Sequence, residues 1–468
     1  MQPAGPGRGI AQLFAARAGV MLAGYLVAVL LARGLGPAAY GTYGLVLSVL
    51  IWLEITATAG IAAAMTRLLA QHDGAAASLE RTGRALLGAV TAALFAASWL
   101  AAPALARLFG VHEGALLFRL AVLDLPLAGL YVGYQGALLG RRRFGVWGVA
   151  LGLQGAARLG GTVLLVLWRP SVAGALVVNA AATTVALAYL VAIAPPGLGR
   201  PSAPWVRRLG REAVPLGLYL VAVQGLASVD LWCLKALGTV PAPVVGLYVA
   251  AGNVARLLLA VPTVLAAVLF PSLARAVAAR DEAGARAHLA TALRGALAVL
   301  LPAAALLAVH AEAVMTALYA PAYAAGARYL ALQLAAFVLF ALLDVGFQAL
   351  MATGALSRAA TVVAALVPAA LGLNLVLIPR AGALGAAAAL AGALGLGAAA
   401  ALALLRRRFG VALPLASVVR VGGATGLVAA VGARVETPLG WLPVELAALG
   451  AAYLILLRVV GEARGERR

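Results

Sequence analysis

Charged residues, cysteines and histidines are scarce in this 468-residue sequence. Only 11% of its residues are charged, whereas soluble domains have about 25%. Cys233 is the single cysteine, so no internal disulfide can form. The four histidines lie far apart, whereas metal ligands come in spaced clusters, so we predict no metal centre. The chain also has no P-loop pattern, and we predict neither an ATP-driven motor nor a bound cofactor.

The net charge of +20 raises the question of a nucleic-acid partner. The basic residues form short clusters between apolar stretches, and no basic face carries interleaved aromatic side chains. We therefore predict that the chain does not bind nucleic acid.

Apolar residues are abundant instead. They make up 64% of the chain, and the mean hydropathy is +1.03. A soluble core cannot take up this much apolar side chain, because a water-exposed surface has to be covered by polar groups. The sequence therefore predicts an integral membrane protein.

The apolar stretches have the length of transmembrane helices. A helix needs about 20 apolar residues to cross a hydrocarbon core ~30 Å thick, and barrel strands are only ~10 residues long with alternating polarity. We predict an all-α polytopic protein with about fourteen spans. The predicted spans are residues 11–33, 43–69, 84–107, 115–139, 146–168, 172–194, 214–236, 244–270, 288–310, 328–352, 358–379, 382–405, 413–433 and 438–459.

The distribution of arginines predicts the orientation. If the N-terminus is cytoplasmic, most basic residues lie in inner loops, as the positive-inside rule requires. The first apolar run is longer than the core of a signal peptide, so we interpret it as a span. The prediction is a multi-pass membrane protein with both termini in the cytoplasm.

Two short patterns occur twice, about two hundred residues apart. Gly41-x-Tyr43 is repeated at Gly246-x-Tyr248, and GYQGALLG from Gly133 is repeated as GFQALMATG from Gly346. We predict two pseudo-symmetric six-helix lobes plus two C-terminal helices, with a Pro/Gly-rich linker between the lobes and a substrate site at their interface. The predicted domains are 1–200, 201–405 and 406–468, and the predicted linker is 195–213.

Longer stretches of the chain resemble a known family. ARGLGPAAYGTYGLVLSVL from Ala32, GLYVAAGNVARLLLAVPTVLAAVLFPSLARA from Gly246 and LNLVLIPRAGALGAAAALA from Leu373 are similar to bacterial oligosaccharide flippases, also called polysaccharide biosynthesis proteins. These proteins belong to the multidrug/oligosaccharidyl-lipid/polysaccharide exporter superfamily. The resemblance implies fourteen helices in two lobes and alternating access. It also implies a lipid-pyrophosphate-linked glycan as cargo, for O-antigen, capsule or exopolysaccharide assembly alongside polysaccharide polymerases and glycosyltransferases.

Arginines inside the spans are the candidate cargo-binding residues, because an ionisable group at mid-membrane normally faces a cavity or a partner. A guanidinium group binds pyrophosphate oxygens in a bidentate manner. Arg256 and Arg158 lie ~18 Å into their spans, too deep to reach the headgroups easily. Their alternative role is a buried pair with an acid. The full set of candidates is Arg256, Arg158, Arg17, Arg294 and Arg119, of which Arg17 and Arg294, like Arg420, lie close enough to the cytoplasmic end to snorkel.

Five acids lie within predicted spans, of which Glu54, Asp124, Asp230 and Asp344 are the candidates for coupling or charge balance, and Glu445 is the fifth. Glu54, Asp124 and Asp344 lie deepest, and either bind a coupling proton or cation or neutralise the arginines. Asp230 lies near the outer end of its span, where we expect it to cap the helix or pair with Lys235.

Other functions remain open at this stage. A flippase for lipid II, the peptidoglycan precursor, also needs a cationic cavity. A drug/cation antiporter of the same superfamily should have a cavity dominated by acids. A membrane-embedded glycosyltransferase or polymerase should carry catalytic carboxylates or histidines on large outer loops, whereas the longest predicted outer loops, such as 311–327, are short. We therefore predict a transporter and not an enzyme.

Overall fold

The computed structural model describes residues 6–72, 74, 76–111, 114–195, 200–352, 356–411, 415–435 and 438–459. Within these ranges it describes all side chains except those of residues 6–17, 263–264, 266–270, 356–358 and 415. The described residues form helices joined by short connections, as the composition predicts.

The chain divides into two compact units. The first comprises Met1–Ser228 and Pro241–Gly246. Its helices are α1 (Pro6–Leu69), α2 (Ala76–Leu108), α3 (Gly114–Val122), α4 (Asp124–Gly140), α5 (Phe144–Trp168), α6 (Val172–Ile193) and α7 (Ala203–Leu226). Helix α1 packs against α4, α5 and α7, and α6 packs against α4 and α5.

The second unit comprises Val229–Val240 and Leu247–Arg468. Its helices are α8 (Val229–Ala236), α9 (Ala242–Ala255, whose first turn belongs to the first unit), α10 (Ala260–Ala278), α11 (Glu282–Val309), α12 (Ala311–Tyr319), α13 (Ala327–Ala352), α14 (Leu356–Phe409), α15 (Leu415–Gly432) and α16 (Leu442–Val459). A 3-10 segment, Arg256–Leu259, separates α9 from α10.

Ten of the described helices are long and apolar enough to cross a membrane. The pair α7–α8, which is bent by 50°, passes the same test of length and composition only when its two helices are taken together. Helices α1 and α14 are each long enough to cross more than once, and the apolar helix Ala416–Gly432 is shorter than a full span. The protein is therefore a multi-pass membrane protein of the predicted all-α class.

Single glycines divide the two longest helices. Helix α1 has 64 residues, and a straight helix of that length would measure about 96 Å, three times the hydrocarbon thickness. Gly36 (φ 73°) interrupts it just before Pro37, and Gly382 (φ 57°) interrupts α14. Positive φ is strained for residues with a Cβ, so glycine is required at both positions. The predicted turn between spans one and two is therefore much shorter than the sequence suggested.

Two predicted loops are partly helical. Helix α7 begins at Ala203, so the predicted linker 195–213 is wrong over its second half. Pro204 fits the first turn of a helix, and Leu209 is fully buried, so this basic segment has an apolar face to pack. The predicted outer loop 311–327 is also wrong, because it contains α12 and a 3-10 turn, Pro321–Gly326, in which Tyr323 is buried.

The repeated Gly-x-Tyr motif has a packing role in the first unit. A Cβ atom on Gly41 would lie 2.6 Å from the backbone nitrogen of Gly246, and a Cβ on Gly246 would collide with the carbonyl of Pro37. Only glycines allow these two backbones to approach so closely.

Candidate functional site

The first polar cluster lies inside the first unit, around Asp124. Pro126 cannot donate a hydrogen bond to Val122, so the helix is interrupted between α3 and α4 and Asp124 becomes the first residue of α4. A carboxylate is favoured there by the positive end of the helix dipole. The Asp124 side chain is 3% exposed, and its Oδ2 accepts a hydrogen bond from Asn179 Nδ2 at 2.6 Å.

Two further charged groups face Asp124. Glu54, from α1, lies within hydrogen-bonding reach of the Asp124 carboxyl group, and Arg158, from α5, interacts electrostatically with both acids. Arg158 Nη2 also donates a hydrogen bond to Tyr43 Oη at 3.4 Å. The structure thus brings together three of the residues singled out from the sequence.

These residues line a cavity of about 220 Å³. Its polar lining consists of Glu54, Asp124, Arg158, Gln154, Asn179 and Thr183, which come from α1, α4, α5 and α6. We call this set the first cluster. With two acids and one arginine, the first cluster suits a cation or proton better than a second anion.

The second polar cluster lies in the second unit, around Asp230. The bend between α7 and α8 falls at Ala227 and Ser228, next to Gly225, and small residues of this kind are a common cause of kinks. Asp230 is in the first turn of α8 and is 4% exposed. Sequence analysis offered Lys235 as its partner, whereas the hydrogen-bond donor observed is the hydroxyl of Tyr248.

Uncharged groups complete this arrangement. Gln333, which is 1% exposed, donates from Nε2 to the backbone carbonyl of Tyr248 at 3.3 Å. The Gln333 amide lies beside Gly252 of α9. We call Asp230, Tyr248, Gln333 and Arg256 the second cluster.

Arg256 differs from the other members of the second cluster because its side chain is exposed. It is the first residue of the 3-10 segment that interrupts span eight. Its guanidinium carbon lies 5.9 Å from the centre of the Phe337 ring, and its charge interacts with Asp230. An interrupted helix at this depth is a common feature of binding sites in transporters.

The other candidates have different surroundings. The guanidinium carbon of Arg119 lies 5.4 Å from the centre of the Trp99 ring, and Arg294 Nε donates to the Ala290 carbonyl of its own helix at 3.3 Å. Asp344 is partly buried, with Gln348 as its hydrogen-bond partner. The side chain of Arg17 lies outside the described residues.

Sequence analysis missed the uncharged members of both clusters. Gln154, Asn179, Thr183 and Gln333 are polar residues inside apolar spans, and that contrast was the available signal. Tyr43 and Tyr248 were noticed only as parts of a repeated motif. Amide and hydroxyl groups of this kind donate hydrogen bonds to the buried carboxylates, from Asn179 to Asp124 and from Tyr248 to Asp230.

Comparison with known proteins gives a family match and several structural matches. The profile described as "Polysaccharide biosynthesis protein" matches residues 7–277. No curated protein sequence matches the chain.

The solved structures share the fold at low sequence identity. A lipid II flippase MurJ in the inward closed conformation has a TM-score of 0.80 at 13% identity, covering 96% of this chain and 99% of that one. An inward-facing multidrug resistance MATE transporter of the MOP superfamily has a TM-score of 0.73 at 15% identity, covering 83% and 94%. A MOP superfamily transporter from Pyrococcus furiosus, whose binding pocket is described as reversed in polarity, has a TM-score of 0.56 at 16% identity, covering 86% and 96%.

Proposed function

Because the chain belongs to the polysaccharide biosynthesis protein family, we propose that it is a flippase for a lipid-pyrophosphate-linked oligosaccharide. It moves this cargo across the bacterial cytoplasmic membrane by alternating access, and the glycan serves O-antigen, capsule or exopolysaccharide assembly. The solved proteins that share its fold are transporters, and the proposal includes no catalytic step. In this proposal, polysaccharide polymerases and glycosyltransferases act before or after the flippase in the assembly of the same polysaccharide.

The position of Arg256 is the observation that carries the proposal. A pyrophosphate needs a positive group inside the membrane, and an arginine is retained there only at a cost of a few kcal/mol on insertion scales. Arg256 is exposed, lies at the interruption of span eight and stacks near Phe337. The planar guanidinium group binds two phosphate oxygens at once, which a lysine cannot do.

The remaining charges have supporting roles. Arg158 interacts electrostatically with both Glu54 and Asp124, so we assign it to charge balance, and we assign the first cluster to a coupling proton or cation. Arg17, Arg119 and Arg294 are secondary candidates for contact with anionic cargo. Asp230 of α8 accepts a hydrogen bond from the Tyr248 hydroxyl of α9, and Asp344 remains a candidate for charge balance.

Lipid II is the alternative cargo. The fold shared with a lipid II flippase extends over 96% of this chain, and lipid II also carries a pyrophosphate. A drug/cation antiporter fits less well, because Arg256 is exposed beside a single acid, Asp230, which accepts a hydrogen bond from Tyr248.

Complementation separates these cargoes and tests Arg256. In a strain without its own oligosaccharide flippase, the wild-type chain should restore surface polysaccharide. Arg256→Ala should abolish this export, and Arg256→Lys should retain part of it. Arg420→Ala, an exposed arginine of α15, is the matched control and should export normally, with membrane levels of every variant checked by blot.

Two outcomes would contradict the proposal. Full export by Arg256→Ala at normal abundance would remove Arg256 from the mechanism. Rescue of a lipid II flippase depletion, without restoration of surface polysaccharide, would favour the alternative cargo.

We also propose that both termini face the cytoplasm. In a Cys233→Ala background, single cysteines at the exposed positions Ala38 and Ala322 should react with an impermeant thiol reagent added outside the cell. Cysteines at the exposed positions Ala203 and Ala283 should react only after the membrane is opened. A mixed pattern within either pair would overturn this orientation.

A further inference from the structure

A cavity lined by arginines lies at one end of the first unit, away from the first cluster. It has a volume of about 250 Å³. Four arginines and one glutamate line it, together with Tyr134. We call this cavity the arginine pocket, and its charged residues are Arg81, Arg84, Arg141, Arg143 and Glu80.

The pocket is built by four helix ends. The first two turns of α2, the last turns of α4, the start of α5 and the residues after α6 all contribute to its lining. Because these apolar helices end here, the pocket lies where a bilayer changes from hydrocarbon to headgroups. The first turn of α2 adds the positive end of its dipole.

Its side chains are held in place before any ligand binds. The Arg84 guanidinium carbon lies 5.3 Å from the centre of the Tyr134 ring, and the Tyr134 hydroxyl donates to the Ala194 carbonyl at 2.9 Å. Glu80 forms an ion pair with Arg141 and lies 3.9 Å from Arg84. One carboxylate therefore faces several guanidinium groups, so the pocket keeps an excess of positive charge.

The turn between α4 and α5 directs two of the arginines into the pocket. Arg143 N donates to the Leu138 carbonyl and Arg142 N donates to the Leu139 carbonyl, which closes the end of α4. Arg142 has φ 56° at the position where glycine is preferred. Its two neighbours line the cavity, whereas Arg142 is not part of the lining.

We propose that the arginine pocket binds a phosphate group, carried by an anionic lipid headgroup or free in solution. Guanidinium groups match phosphate oxygens in charge and in bidentate geometry. The Glu80 carboxylate neutralises part of the positive charge of the pocket. It therefore competes with a phosphate group for the same arginines. Arg141 is 43% exposed, which leaves the pocket open to a headgroup.

The test measures anion binding by the full-length protein rather than export. Protein in phosphatidylcholine nanodiscs receives increasing fractions of phosphatidylglycerol, and retained lipid is counted by native mass spectrometry. A second arm titrates inorganic phosphate into detergent-solubilised protein and follows the melting temperature. Retention of phosphatidylglycerol identifies the lipid as the source, and binding of inorganic phosphate alone identifies the free anion.

Three variants make the expected result specific. Arg143→Gln should weaken binding by about tenfold, because it removes charge-assisted hydrogen bonds. Glu80→Gln should strengthen binding, because the competing carboxylate is lost. Arg142→Gln removes the same charge from the same turn outside the pocket, and it should bind like the wild type.

Two results would overturn the proposal. Equal loss in Arg142→Gln and Arg143→Gln would show that only the general surface charge matters. The second result is that the protein retains phosphatidylglycerol no better than phosphatidylcholine and shows no change in melting temperature with inorganic phosphate. That result would mean that these arginines stabilise the helix ends and bind no phosphate group. If Arg143→Gln fails to fold, Glu80→Gln still decides the matter, because weaker binding in that variant contradicts the competition.

Discussion

Asp124 in the first unit and Asp230 in the second occupy similar positions in their helices. Each is buried, and each lies in the first turn of a helical segment that follows an interruption. The groups that compensate the two carboxylates differ. Asp124 has Asn179, Glu54 and the charge of Arg158, whereas Asp230 receives the hydroxyl of Tyr248.

The repeated tyrosines show the same difference. Tyr43 and Tyr248 occupy equivalent places in the Gly-x-Tyr motif and are almost equally buried, at 4% and 3% exposed. Tyr43 accepts a hydrogen bond from Arg158, whereas Tyr248 donates one to Asp230. The tyrosine of the motif is thus hydrogen-bonded to an arginine in the first unit and to an acid in the second.

This contrast explains why the two deep arginines have different roles. Arg158 is partly buried and shared between two acids, so its charge is used within the first cluster. Arg256 is exposed, and Asp230, the acid with which its charge interacts, accepts a hydrogen bond from the neutral hydroxyl of Tyr248. Of the two, Arg256 is therefore the better placed to bind an anionic ligand.

The largest expected effect is a loss of stability in Arg158→Ala that Arg256→Ala does not share. Removing Arg158 leaves two carboxyl groups without their cation, and breaking such a buried arrangement costs up to about 3 kcal/mol. The melting temperature of detergent-solubilised protein should fall clearly for Arg158→Ala and little for Arg256→Ala. The opposite order would contradict the assigned roles.

A second-site change should repair the first cluster. In the double variant Arg158→Ala with Glu54→Gln, one acid is removed along with the arginine, so a large part of the lost melting temperature should return. The control is Arg158→Ala with Asp344→Asn, which changes an acid of the second unit. If both double variants recover equally, Glu54 and Arg158 are not coupled.

The tyrosines provide a smaller and well-matched comparison. Tyr248→Phe removes the donor of a buried carboxylate and should cost about 1.5–3 kcal/mol, as for a hydrogen bond to a charged group. Tyr43→Phe removes a long 3.4 Å contact and should cost at most about 1 kcal/mol. Thermal unfolding of the two variants measures both, and equal losses would mean that the repeat-related tyrosines are equivalent.

The smallest expected effect is at Arg420, an exposed arginine of α15. Arg420→Lys keeps the charge of a side chain that can reach the headgroups, so export and melting temperature should both stay at wild-type values. Arg256→Lys, with the same change of chemistry, should lose part of its export. A clear defect in Arg420→Lys would show that the loss of export on exchanging arginine for lysine is not specific to Arg256.

The membrane class, the pattern of spans and the presence of deep arginines were determined by the sequence alone. Hydropathy is a local property, because a segment of about 20 apolar residues enters the bilayer largely regardless of its neighbours. Glycine with proline marked the division of α1 for the same local reason. Residues 203–213 and 311–327 were misassigned as loops, because their helices depend on buried contacts of Leu209 and Tyr323 that no local pattern reports.

Only the tertiary structure decided which charges meet. Glu54, Asp124 and Arg158 come from three helices, and their contact depends on how α1, α4 and α5 are rotated and packed against one another. The sequence offered Arg158 as a cargo ligand or as half of a buried pair, and it offered Lys235 as a partner for Asp230. Hydropathy could not choose between these options, because helix rotation is set by side-chain packing along the whole contact rather than by the ionisable residues themselves.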